Sequence, residues 1–371
     1  MQNSKKTIIE LCMSPDLGGL ELYMVRAAKA LQDDFEVISI INTDTKLEQY
    51  YEDEKEFIKI KKSSNLFMFG AAKELANIID EKSVDIIHMH WTKDMPFVVL
   101  AKMLSKRKPK LAQTRNMTMT RFKNDFYHRL MYKNMNLMLS VTYQVKEQLE
   151  KFIPQDIRPK IEVLYMGSDK VDMLNTGEAD SLKEKLNFKK DSFNIGMVGR
   201  INEAKGQYLL IKALSEIKNR DVNAYFVGHE MNKGYIEELK VLAKELGVES
   251  KIHFLGFMKN PHHFFQISDA IVMASKRETF GLVVIEAMQV QTVVIGSNSG
   301  GVVEIIDDGE NGLLFEVGNH QSLALNITKL IDSPELLKNL SIAGEQKCEE
   351  KFSNEKQFNR LSIMLKDLSE S

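Results

Sequence analysis

The chain alternates short apolar runs with amphipathic segments, and it does so twice. In the first half the runs are TIIELCM (7–13), FEVISII (35–41), DIIHMH (85–90), LMLSV (137–141) and IEVLY (161–165). Segments of helical period separate them at 20–32, 66–80, 94–105 and 142–152. Such alternation is the mark of βα units, whose strands lie parallel and are covered on both faces. The pattern fades into the polar, turn-rich MGSDKVDMLNTGEADSLKEK from 166 onward, where the link between two domains is expected. It restarts with FNIGMVG (193–199), NAYFVG (223–228), KIHFLG (251–256), AIVMAS (270–275) and TVVIGS (292–297), and two helical segments, 334–350 and 354–368, close the chain. At 371 residues the chain exceeds the usual size of one hydrophobic core. The expected fold is therefore α/β, two tandem Rossmann-like domains facing each other across a cleft, with ligands at the carboxyl ends of the strands.

Composition narrows the function. The formal charge is −2, which gives no global attraction for nucleic acid. Cys12 and Cys348 are too few for a disulfide framework and suit a reducing cytoplasm. The start, MQNSKKTIIELCMSPD, reads as a first strand and not a signal peptide, and no apolar run approaches the roughly 20 residues of a membrane span. A soluble or peripheral cytoplasmic protein is expected. The P-loop, the G-x-G-x-x-G fingerprint, the G-x-S-x-G elbow and a D-x-D metal pair at a strand end are all missing.

Four loops carry candidate chemistry. Gly18 and Gly19 fall where the first strand turns into a helix and leave backbone N–H groups open to a phosphate or sugar; a plain tight turn is the alternative. In GRINEAKGQ, Arg200 ends a strand and Lys205 stands at the next helix, a spacing that lets both grip a diphosphate, unless both are solvated surface. His88 and His90 share one face of a strand. They lack a third metal ligand at a helpful spacing, so His88 reads as packing and His90, at the strand's carboxyl end, as a polar contact to substrate. In SKRETFGLVVIEAM (275–288), Glu278 precedes an apolar helix and Glu286 lies inside it. The helix-start amides at Phe280 and Gly281 suit a phosphate or sugar oxygen. A carboxylate accepts two hydrogen bonds, so Glu286 suits the ribose of a nucleotide and Glu278 a sugar; pairing of Glu286 with a buried cation is the other reading.

Together these motifs resemble the retaining, family 4 glycosyltransferases of the GT-B fold, over nearly the whole chain. Glu278 and Glu286 form an E-x7-E pattern, GGLE (18–21) is similar to the family's glycine loop and MVGRINEAKG (197–206) to its donor-phosphate motif. GGVVEIIDDGENGLLF (300–315) and FSNE (352–355) also match. The resemblance implies domains at 1–168 and 169–351, with a helix at 352–371 crossing back to the first. It implies Arg200 and Lys205 on the donor diphosphate, Glu286 on the ribose, Glu278 beside the donor sugar, Gly19 near the phosphates and His90 on the sugar. Catalysis would fall to His90, Glu278, Arg200 and Lys205. The nucleotide-diphosphate-sugar would be a co-substrate, with no metal and no other cofactor. The acceptor would be a glycan or glycolipid of the bacterial surface. A GT-B enzyme of another reaction, a phosphorylase or sugar-nucleotide epimerase, and a non-catalytic sugar-nucleotide-binding module are the alternatives. The chain departs from the family's common wording at FVGHE (226–230), MAS (273–275) and QTRNMTMTR (113–121), where a frequent histidine is missing and Arg115 stands on the acceptor side.

Residues 102–133 hold ten Lys or Arg against one acid, Asp125, a local charge of +9, interleaved with Phe122, Phe126, Tyr127, Met131 and Tyr132. This suits peripheral contact with an anionic membrane at the inner face of the plasma membrane, or with a phosphorylated glycan. A solvated helix with core aromatics is the alternative.

Overall fold

A computed structural model describes residues 5–16, 18–43, 45–51, 57–62 and 68–371. Positions 1–4 of the expected first strand region and 66–67 of the second helical segment lie outside them. The chain divides into two compact units, Met1–Tyr165 with Glu355–Ser371, and Met166–Asn354.

The first unit is built on seven parallel strands: β1 (Lys6–Cys12), β2 (Phe35–Asn42), β3 (Phe57–Ile60), β4 (Ile86–Met89), β5 (Lys110–Arg115), β6 (Leu137–Ser140) and β7 (Lys160–Val163). Their order across the sheet is β3-β2-β1-β4-β5-β6-β7, all parallel. Helices α1 (Gly19–Leu31), α2 (Phe69–Glu81), α3 (Met95–Leu104), α4 (Phe126–Asn134) and α5 (Tyr143–Phe152) connect them. Local chemistry starts two of these helices. Asp125 caps α4 by accepting from the His128 amide at 3.0 Å, and Thr142 caps α5 through the Val145 amide at 3.2 Å. One face of the sheet (Ile9, Leu11, Ile87, Met89, Leu111, Met138) packs with α2, α3 and α5 into a continuous core.

The second unit opens with α6 (Thr176–Lys185), whose Asn175 and Glu178 form a reciprocal capping box. It continues with β8 (Phe193–Val198), α7 (Gln207–Glu216), β9 (Val222–Val227), α8 (Tyr235–Glu245), β10 (Ile252–Gly256), α9 (His262–Ile267), β11 (Ala270–Met273), α10 (Leu282–Met288), β12 (Val293–Ser297), α11 (Val302–Ile305), β13 (Leu313–Phe315), α12 (His320–Asp332) and α13 (Pro334–Lys351). The sheet order is β10-β9-β8-β11-β12-β13, again parallel. The segments entering and leaving this unit meet each other: the Ser168 amide donates to Phe352 O at 2.8 Å and the Asn354 amide to Ser168 O at 3.1 Å.

The last helix, α14 (Asn354–Glu370), belongs with the first unit. Phe358 lies against the Tyr23 ring of α1, 5.7 Å between centroids, and Ser362 and Lys366 both bond the Asp34 carboxylate.

In each sheet the order reverses at one place, between β1 and β4 in the first and between β8 and β11 in the second. The loops leaving those strands part at such a point and leave a crevice for a ligand.

Candidate functional site

In the second unit the crevice is framed by the loops after β8 and β11. The β8 loop closes with a short turn in which Asn202 accepts from the Lys205 amide at 3.1 Å. Gly206 then takes φ +79 to start α7, and a Cβ there would stand 2.4 Å from the Ala274 carbonyl. Only glycine lets this turn lie against the end of β11. The contact brings Lys205 to the β11 loop, where its Nζ meets Glu278 Oε2 at 2.6 Å. Both side chains are about three-quarters buried. The sequence pairs Lys205 with Arg200; the structure joins it to Glu278. Arg200 is exposed and makes no ion pair among the described residues, while its carbonyl accepts from Gln207 Nε2 at 3.0 Å.

The Glu278 loop is seated from behind by residues the sequence reading left outside the site. The Gly301 amide donates to Glu278 O at 2.8 Å. A Cβ on Gly300 (φ +64) would stand 2.1 Å from that same oxygen, and one on Gly301 2.4 Å from Thr279 O. The signal was present in GGVVE, whose paired glycines mark a close backbone approach.

Phe280 is core, its ring 5.9 Å from that of Phe352, so only its backbone faces a ligand role. Gly281 (φ +106) caps α10, which starts one residue later than expected. The helix is apolar as expected but is not buried on every side. Val284, Ile285, Ala287 and Met288 are buried, but Leu282, Val283 and Glu286 are half-buried. These three fall on one face at helical spacing, so Glu286 stands on the open side of α10.

In the first unit Gly18 caps α1 and Gly19 begins it, both exposed and neither at positive φ. Glu21, buried in the first turn, has a carboxylate oxygen 3.4 Å from where a Gly18 Cβ would sit. The positive end of α1 therefore already faces a negative charge, which weakens it as a phosphate seat.

His90 is buried, not presented at the strand exit: it is 1% exposed. Its Nε2 lies 2.6 Å from Glu10 Oε2, and His88 Nδ1 lies 2.9 Å from Glu10 Oε1. His88 Nε2 in turn meets Thr114 Oγ1 at 2.8 Å, and His90 Nδ1 has no partner. Burial, with His88 beside it, pushes the His90 pKa down to about 4, so the ring is neutral at pH 7. The Glu10 carboxyl stays below its ordinary range because the two imidazoles outweigh the burial that acts the other way. The sequence reading found no third metal ligand; Glu10 supplies one, with ligand atoms of all three residues within 4.8 Å. Ligands of one ion at roughly 2.0–2.2 Å stand about 3 Å or more from one another. Contacts of 2.6 and 2.9 Å fit shared protons better.

A second buried charge pair lies nearby. Lys62 Nζ reaches Asp94 Oδ1 at 2.9 Å, and Asp94 Oδ2 accepts from the Met13 amide at 2.9 Å. Burial raises the Asp94 pKa to about 6 despite Lys62. Of the aromatics in the basic stretch, Tyr132 is core with Met131, while Phe122, Phe126 and Tyr127 are exposed. The sequence treated all five as one set.

The geometry can be set beside known proteins. The model of "Glycosyl transferases group 1" matches residues 178–347 and that of "Glycosyl transferase 4-like" residues 10–145. A crystal structure of a glycosyltransferase from Rickettsia africae superposes with a TM-score of 0.88 at 25% identity, over 98% of each chain. By these matches the chain is a glycosyltransferase of the GT-B fold. Among its relatives, glycosyltransferase EpsD of Bacillus subtilis is 30% identical over 50% of this chain and 49% of its own. The chain thus spans about half the length of that relative. The capsular polysaccharide biosynthesis glycosyltransferase CapM of Staphylococcus aureus is 26% identical over 86% of each chain. Among the described residues no helix is long and apolar enough to cross a membrane.

Proposed function

We propose that this GT-B glycosyltransferase moves a sugar from a nucleotide-diphosphate-sugar to an acceptor hydroxyl in cell-surface glycan synthesis, with retention and without a metal. The observation that carries the reading is the meeting of Lys205 with Glu278 at the reversal point of the second sheet. A cation and a carboxylate held together there match the two ends of a donor. Lys205, with Arg200 on the same loop, takes the diphosphate, and Glu278 takes the sugar hydroxyls. Glu286, on the open face of α10, takes the ribose. As the anomeric C–O bond breaks, negative charge grows on the departing diphosphate, and Lys205 and Arg200 stabilise it. The acceptor oxygen bonds the anomeric carbon from the same face, and its proton passes to a diphosphate oxygen. His90, wholly buried and bonded to Glu10, is left out of the sugar contact. The relative CapM, named for capsular polysaccharide biosynthesis, supports a glycan acceptor. Exposed Phe122, Phe126 and Tyr127 among cations support peripheral contact with an anionic membrane.

The test is a thermal-shift panel with UDP, GDP, ADP and CMP on the wild type and on Lys205→Ala. A nucleotide at 100 times its dissociation constant stabilises the folded protein by about 2.7 kcal/mol. One nucleotide should raise the melting point, the variant should lose the rise, and its transfer rate should fall by about 100-fold. Equal rises in both proteins would remove Lys205 from the donor site.

A further inference from the structure

Arg115 is the last residue of β5, at the carboxyl edge of the first sheet, where parallel sheets take their ligands. It is 7% exposed. Its Nε donates to Met117 O at 2.9 Å, Nη1 to Thr92 Oγ1 at 2.8 Å and Nη2 to Thr118 O at 3.3 Å. All three acceptors are neutral, and a guanidinium has five N–H groups, so two remain unused. Among the described residues no carboxylate lies at ion-pair distance from Arg115, Arg121 or Lys123. A buried charge without a counter-charge is costly, and a fold keeps one only where something else compensates it.

The neighbourhood adds positive charge instead. Arg121 is exposed and Lys123 half-buried on the loop between β5 and α4, and the Lys123 amide pins that loop to Phe152 O at 2.9 Å. Burial, then Arg121 and Arg115, lower the Lys123 pKa, against a smaller opposing pull from Asp125. Asp125 itself is committed to capping α4 and to the His128 ring. Elsewhere in the basic stretch Arg107 has Asp85 and Arg129 has Asp156, so the missing counter-charge is local to 115–123. Buried bonding capacity is also unused here. Gln113, two residues before Arg115 on the same side of β5 and wholly buried, has neither amide atom bonded, and Asn116 Oδ1 is likewise without a partner. Met117 and Phe122 flank the cations, 61% and 56% exposed.

A ligand that answers this set is a polyvalent oxyanion beside an apolar group. We propose that Arg115, Arg121 and Lys123 bind a phosphate or diphosphate ester carried by the acceptor, with Met117 and Phe122 against the apolar part of that molecule. The word acceptor rests on the transferase reading; the anion site does not.

Inorganic diphosphate is the probe, titrated by calorimetry into the full chain. The Lys205→Ala background weakens the donor side, and R121Q with K123Q is added to it, because these surface changes leave the buried Arg115 in place. Diphosphate should bind K205A, and the added pair should weaken it by on the order of tenfold or more. R115K keeps the charge but not the planar fork and should weaken it as well. No binding to K205A, or equal binding with and without the pair, overturns the site. A lipid headgroup could supply the same phosphate. Membrane contact through Phe126 and Tyr127 predicts sedimentation with phosphatidic-acid vesicles whether or not the pair is changed; sedimentation of wild type that R121Q/K123Q abolishes would overturn the acceptor assignment, and sedimentation kept by the pair while diphosphate binding weakens supports it. Loss of the UDP shift in K205A tests the donor reading separately, so either can fail alone.

Discussion

At the scale of residues, one carboxylate organises two imidazoles. Glu10 sits directly opposite His88 in the β1–β4 register and accepts from both rings, through a different oxygen to each. A carboxylate only accepts, so each ring carries its proton toward Glu10, and His90 is left with Nδ1 as a bare acceptor. The consequence is a pH dependence with a definite sign. The His90 pKa falls from the ordinary 6.5 to about 4 on folding, chiefly through burial. Between those values the unfolded chain binds a proton that the folded chain does not, so stability falls as pH falls below 6.5. His90→Gln keeps an N–H for Glu10 and removes the titration. Urea midpoints from pH 7.5 down to 5 should show the wild type losing ground to H90Q below 6.5. Asp94, with its pKa raised to about 6, tilts the other way, but it is common to both proteins and cancels in the difference. Parallel curves would mean that the folded protein accepts a proton at His90 after all. His88 and His90 were legible in the sequence as a pair two residues apart. Glu10 was not, because it stands 78 positions from His88 and meets it only through sheet register.

At the scale of elements, the loop after β11 owes its position to the loop after β12. Gly301 has an ordinary helical φ, so alanine there meets no backbone strain; what it meets is Thr279 O at 2.4 Å. A carbonyl on a pinned loop cannot swing aside as a side-chain tip can. Gly301→Ala should cost about 1–3 kcal/mol of stability, the usual range for overpacking. It should also weaken nucleotide binding by displacing Glu278, although residue 301 is not placed on the ligand. Both effects are read from a melt with and without the nucleotide; unchanged binding would show that the Glu278 loop holds itself. Element identity was mostly legible. The long, apolar strands β1, β2, β8, β9 and β12 fall within a residue or so of where periodicity puts them. The reading passed over β3, β5 and β13. β3 is four residues with a lysine inside, and β13 is three. β5 ends in Gln113, Thr114 and Arg115, polar residues that read as loop. They are nonetheless buried, Thr114 against His88 and Arg115 against Thr92, Met117 and Thr118, polar contacts that a hydrophobic pattern does not register.

At the scale of the whole molecule, the chain order and the structural units differ. The second unit ends at Asn354, and the helix that follows it completes the first. Phe358, Leu361, Leu365 and Leu368 of α14 are buried. Burying one such side chain stabilises a fold by about 1.5–3 kcal/mol, so the four together contribute on the order of 6–12 kcal/mol. That is comparable with the entire stability of an ordinary domain, about 5–15 kcal/mol. Removing residues 355–371 should therefore unfold the first unit at temperatures where the wild type is intact. The second unit keeps its sheet, its core and the Ser168–Asn354 tie, and should go on melting in a separate transition. If the donor site lies wholly on its loops, the nucleotide that stabilises the full chain should still raise that transition in the shortened one. Amide hydrogen exchange would locate the loss, with β1 and α1 unprotected and β8 and β11 protected. Uniform loss of protection in both units would mean that the second unit cannot hold its fold without the first. Each reversal point would then depend on the other unit's core as well as its own.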